Sequence, residues 1–167
     1  MSMVACRRRF SGVDEMRMKM TAVPVLAALL LTLFSSVPSL ANDAAMDVES
    51  TLTSWMADFN AGKTERICDL FAPDVRADFR GHPTRDHKAV CDLLTQSLTD
   101  TSRVYRYALD IKEILVFGDV AVVRLVWTLT IKKKDGGEIK SVEPGMDVFR
   151  RQADGSWRIV RYMAYEE

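Results

Sequence analysis

The side chains best suited to chemistry are two carboxylates in apolar, strand-like surroundings. Asp147 stands among Gly145, Met146, Val148 and Phe149, and Asp78 between Ala77 and Phe79. A carboxyl enclosed by apolar neighbours is driven toward its neutral acid, which can donate to a carbonyl oxygen or exchange a proton with a substrate. Asp147 therefore reads as a pocket acid, whereas Asp78, the second catalytic candidate, alternates with Val75, Ala77 and Phe79 and falls with Arg76 and Arg80 on the polar side of its strand. The competing reading of Asp147 is an ion pair with Arg124 or Arg161. Arg124 shares a strand face with Val122 and Val126, and burying it there requires a carboxylate, Asp147 or Asp110. Trp55 and Phe59, at helical spacing, join Trp127, Phe149 and Arg124 as candidate ligand-binding residues; plain core is the other reading of the aromatic pair.

Metal and thiolate chemistry finds little support. His82 and His87 flank Pro83 without a ligand-spaced partner, so neither a metal site nor a cofactor is expected. Cys68 and Cys91 are the two cysteines after residue 41. In an oxidising compartment such a pair reads as a disulfide, for which the chain-entropy model gives roughly 3 kcal/mol.

That compartment is implied by the start of the chain. An apolar run from Ala22 to Phe34 follows Arg17 and Lys19 and precedes small residues at Ser39 and Ala41. This is the layout of a signal peptide over residues 1–41, with Met16, Met18 or Met20 as alternative starts. The run is short for a bilayer span of about 20 residues. The expectation is a periplasmic or secreted protein with no stable membrane anchor after cleavage. Residues 42–167 hold 18 Lys and Arg against 21 Asp and Glu. Nucleic acid, which needs a basic face, is excluded as the main partner.

The elements that must carry these residues follow from periodicity. Val48, Leu52, Trp55, Met56 and Phe59 predict a helix over 44–61 ended by Asn60-Ala61-Gly62. Thr64, Ile67, Leu70 and Phe71 predict a second short helix stopped by Pro73. Alternation of Val75, Ala77 and Phe79 predicts a strand, and Val90, Leu93, Leu94 and Ser97 a third helix over 85–98. Turn signals at Gly118, Gly136 and Gly155 divide the remainder into strands near 104–117, 120–133, 138–151 and 156–165, an antiparallel meander. The strand from Val120 to Lys133 is largely apolar on both faces, so one face needs helices and the other a partner, expected to be a second copy of the chain.

This order of elements over 42–167 resembles the SnoaL-like and ketosteroid-isomerase-like branch of the nuclear transport factor 2-like superfamily. The resemblance is carried by Phe59-Asn60-Ala61-Gly62, Leu70-Phe71-Ala72-Pro73-Asp74-Val75, Gly145-Met146-Asp147-Val148-Phe149-Arg150 and Asp154-Gly155-Ser156-Trp157-Arg158-Ile159-Val160. It implies a cone-shaped α+β fold of the cystatin-like kind, three N-terminal helices on a curved antiparallel sheet, with a pocket between them. Asp147 falls where the family has its oxyanion-hole aspartic acid. Trp55 stands at the tyrosine position, and Phe79 at the base position with Asp78 one residue away; a bulge in the first strand would return Asp78 to the pocket. The resemblance implies a pocket, and the departures at the tyrosine and base positions lead to the expectation of a domain that binds a small apolar ligand or a protein partner without catalysis. The alternative is an isomerase, lyase or cyclase acting on a hydrophobic carbonyl compound.

Overall fold

A computed structural model describes residues 38–167, with side chains from Ala41 onward. The expected leader therefore lies, for residues 1–37, outside the described residues. The elements are α1 (Pro38–Asn60), a single 3-10 turn (Thr64–Arg66), β1 (Phe71–Phe79), α2 (His87–Thr99), β2 (Arg103–Phe117), β3 (Val120–Lys133), β4 (Glu138–Arg151) and β5 (Trp157–Ala164). No helix among them is long and apolar enough to cross a membrane.

Helix α1 buries Ala44, Val48, Leu52, Trp55 and Phe59, a stripe at the 3.6-residue period. Each large apolar member contributes about 1.5–3 kcal/mol by burial. The helix stops where Gly62 takes a positive φ of 74°, so that Lys63 N–H reaches Asp58 C=O and Gly62 N–H reaches Phe59 C=O. The expected second helix is only the 3-10 turn. Between Gly62 and Pro73 there is room for one turn before Leu70 C=O accepts from Ile159 N–H and Phe71 enters the sheet beside Ile159. Helix α2 is capped by Asp86, whose carboxylate accepts from Ala89 N–H at 2.9 Å.

The five strands form one sheet in the order β1-β5-β4-β3-β2. Strands β2 to β5 are the predicted antiparallel meander, but β1 pairs with β5 in parallel, so the sheet is mixed rather than wholly antiparallel. The parallel pair is possible because α2 and three strands intervene between the two, a crossover far longer than a hairpin. Register shifts between Ile111 and Glu113 and between Val148 and Phe149 bend the sheet. Its concave face carries Ala121, Val123, Leu125 and Trp127 against the helices. Cys68 and Cys91 are joined in a disulfide with Cα atoms 5.5 Å apart, tying the segment before β1 to α2.

Candidate ligand pocket

The mixed sheet curls around α1 and α2 and leaves between them a cavity of about 350 Å³. Its walls are mostly apolar: Phe71, Ala77, Leu94 and Ile159 with an aromatic cluster of Trp55, Phe59, Tyr107 and Trp127. Ring centroids in the cluster are 4.9 Å apart for Phe59 and Tyr107, and 5.6 Å for Trp55 and Trp127, both edge-on. The Trp55 indole N–H donates to Ile67 C=O at 2.8 Å, so its polar end serves the fold and its ring serves the pocket.

Asp147 is 0 % exposed, and neither carboxylate oxygen has a hydrogen-bond partner. Burial alone pushes its carboxyl up to about 8. The competing ion pairs do not form. In the β3–β4 register Val123 lies opposite Asp147 and Arg124 opposite Met146, which turns Arg124 to the convex face. There its Nε lies 3.4 Å from Glu113 Oε2, well outside the cavity lining, so the expected ligand-binding place of Arg124 is corrected by strand alternation. Arg161 instead donates to the carbonyls of Val160 and Asp74.

Of the other anticipated residues, Trp55, Phe59 and Trp127 line the cavity. Phe149 is fully buried in the core between Ala121 and Ile159 of the flanking strands and does not line it. Asp78 also lies outside the lining, and accepts a hydrogen bond from Thr84 Oγ1. A bulge that would redirect it is absent at that point: the β1–β5 register shift falls between Phe71 and Arg76, and Asp78 pairs regularly with Met163. Ala77 and Phe79 therefore take the inner face and Asp78 the outer.

Glu143 and Arg85 are polar lining residues that carry no expectation from the sequence, whereas Tyr105, Tyr107 and Tyr162 are strand tyrosines of the kind expected at a pocket rim or a dimer face, and they line the cavity. Glu143 is 7 % exposed, accepts from Ser141 Oγ at 3.0 Å, and has its carboxyl raised chiefly by burial. Its signal was its spacing, since residues 143 and 147 have the same strand parity. Tyr162 lies opposite Asp147 on β5. Its hydroxyl is raised well above the ordinary phenol range, first by burial and then by the charges of Asp147, Tyr107 and Glu143, with Arg85 pulling the other way. Tyr107 is raised as well, by burial and then by Glu143. The sheet side of the cavity thus gathers two buried carboxyls and two phenols, and His82 and Arg85 from the loop before α2 also line it. Among the described residues no cluster of His, Cys, Asp and Glu has a metal-holding arrangement.

A family model of the SnoaL-like domain matches residues 52–162, two thirds of the sequence and every element of this pocket. The chain belongs to the SnoaL-like domain family. Solved structures agree on the fold. A ketosteroid isomerase-like protein from Erwinia carotovora atroseptica is 20 % identical, with a TM-score of 0.62 over 75 % of this chain and 97 % of that one. A nuclear transport factor 2-like protein with a cystatin-like fold from Novosphingobium aromaticivorans is 19 % identical, with a TM-score of 0.62 over 80 % and 91 %. A Catenulispora acidiphila structure in complex with S-DNPA is 18 % identical, with a TM-score of 0.62 over 75 % and 94 %. No curated protein matches the sequence. At such identities the SnoaL-like architecture is shared and activity is not thereby transferred.

Proposed function

We propose that this SnoaL-like domain, exported by the leader in residues 1–41, binds a small hydrophobic ligand in the cavity and needs no catalysis to do so. The observation that carries the reading is the partnerless, fully buried carboxyl of Asp147 in an apolar enclosure. A buried polar group without a hydrogen bond costs about 1–3 kcal/mol, and a ligand carbonyl or hydroxyl oxygen would supply the acceptor its neutral acid lacks. A carboxyl raised to about 8 is mostly protonated at neutral pH and so is a donor. The disulfide between Cys68 and Cys91 agrees with an oxidising destination. A protein partner fits elsewhere: a second copy on the convex sheet face.

The test is extraction of protein purified from its native compartment, followed by mass spectrometry. Wild type is expected to carry a stoichiometric hydrophobic molecule, and Asp147→Leu, which fills the space but cannot donate, to lose at least tenfold of it. A folded wild type with an empty cavity, or equal occupancy in both proteins, rejects the reading.

The catalytic alternative has one specific observation in its favour, the second buried carboxyl of Glu143 on the strand that carries Asp147. An isomerase or lyase acting on a hydrophobic carbonyl compound would use Asp147 as acid and Glu143, rather than the outward Asp78, as base. Incubating extracted ligand with the protein in deuterated water separates the two readings. Deuterium incorporated by wild type and lost in Glu143→Gln supports catalysis; unlabelled ligand supports binding alone.

A further inference from the structure

Arg85 belongs to the loop between β1 and α2, and its position is fixed before its side chain makes any contact. Its backbone N–H donates to Ala77 C=O at 2.8 Å and its C=O accepts from Ala77 N–H at 2.9 Å, a complete bridge to β1. The next residue, Asp86, is the cap of α2. The loop is therefore clamped on both sides, and the half-buried Arg85 side chain lines the cavity.

No carboxylate answers it. Among the described residues Arg85 has neither an ion pair nor a side-chain hydrogen bond, although most arginines of the domain have one. The nearest acids in sequence are committed elsewhere: Asp78 accepts from Thr84 Oγ1, and Asp86 from Ala89 N–H. Within the cavity Glu143 already accepts from Ser141. The two buried carboxyls can shed their charge by holding a proton, whereas a guanidinium keeps its charge at every physiological pH. An apolar cavity whose lining includes a permanent, unmatched cation is suited to an anion with a large apolar body.

We infer that the ligand is an amphipathic anion, its apolar body against Trp127, Phe59 and Leu94 and its anionic head paired with the Arg85 guanidinium. The inference rests on the cavity being a ligand site. It adds to that reading a head group and the residue that selects it, and gives Arg85 a specificity role independent of the Asp147 contact. Neutral ligands of the same shape fill the cavity but leave Arg85 unmatched.

Two fluorescent probes with one skeleton separate these contributions: 8-anilinonaphthalene-1-sulfonate, an anion, and N-phenyl-1-naphthylamine, its neutral counterpart. Titration of delipidated wild type should show each probe displacing the other, with the sulfonate the tighter. Arg85→Gln should weaken the sulfonate about tenfold, equivalent to about 1.4 kcal/mol, and the neutral probe less than twofold. Arg85→Lys should recover part of the loss, since it restores charge without the planar fork. Thermal melts of both variants check that the fold is intact. Sulfonate binding unchanged in Arg85→Gln, or an equal loss of both probes, overturns the role of Arg85 while leaving the cavity as a ligand site. Failure of both probes to bind wild type overturns the ligand reading and this one with it.

Discussion

Asp147 has a folded-state ionisation opposite in sense to that of a paired surface carboxylate, and this gives it a signature in stability. Its acid is raised to about 8, whereas in the unfolded chain it ionises near about 3.9. The native state therefore holds a proton that the unfolded state releases, and this site's contribution to stability falls as pH rises from about 4 to 8. Asparagine in its place cannot titrate. Asp147→Asn should fold, and its melting temperature should gain on wild type by several degrees as pH is raised from 5 to 8, with the difference levelling above that. Paired melts across this range check it; a difference independent of pH removes the buried neutral acid. Asp147 was legible as a residue because its immediate neighbours are apolar. The place of Arg124 was not, because alternation tells which residues share a face but not which face is concave. Glu143 escaped notice for a related reason: between Val142 and Pro144, nothing local tells that its face is the one turned into the cavity with Asp147.

At the scale of elements, the turns were the informative punctuation. Gly118, Gly136 and Gly155 each adopt positive φ at a hairpin, and the strand bounds they imply agree with β2 to β5 within about two residues. The second helix failed because local amphipathicity over Ile67, Leu70 and Phe71 could not reveal that a strand 88 residues on would claim Phe71 through Ile159. The parallel pairing of β1 with β5 was hidden likewise, since nothing local encodes a partner. Gly145 shows how tightly this part of the sheet is set. A Cβ built there would stand 3.0 Å from Met163 C=O and 3.3 Å from the Ala164 Cβ, with β5 backbone unable to yield cheaply. Gly145→Ala should therefore force β4 from β5 beside Asp147 and Tyr162. The expected cost is about 1–3 kcal/mol, with weakened ligand occupancy, measured by denaturant unfolding and extraction. An alanine variant as stable as wild type shows that the two strands are less closely apposed.

The whole molecule has two sheet faces, and α1 and α2 cover one of them. The convex face presents Phe117 at 66 % exposure, with Leu115 and Val120 beside it on β2 and β3, and on β5 and β4 Met163 at 64 % and Met146 at 46 %. Met146 and Met163 are direct partners across β4 and β5, and Arg124 lies opposite Met146, so a row of unbranched, adaptable side chains crosses the middle of the face. Exposed apolar side chains gathered on a sheet face mark it as a candidate contact surface. The family's fold was readable from the sequence because each strand states its own period; the expectation of a second copy rests only on the doubly apolar character of β3. A homodimer closed through this face would bury the row against its symmetry mate, in an interface that for stable pairs covers about 1,200–2,000 Å². Light scattering at tens of micromolar should return twice the chain mass for wild type. Met146→Glu together with Met163→Glu sets like charges across the two-fold axis and should yield a monomer that still takes up the cavity ligand, because both positions lie on the face away from it. A monomeric wild type, or a double variant that remains dimeric, places the contact elsewhere.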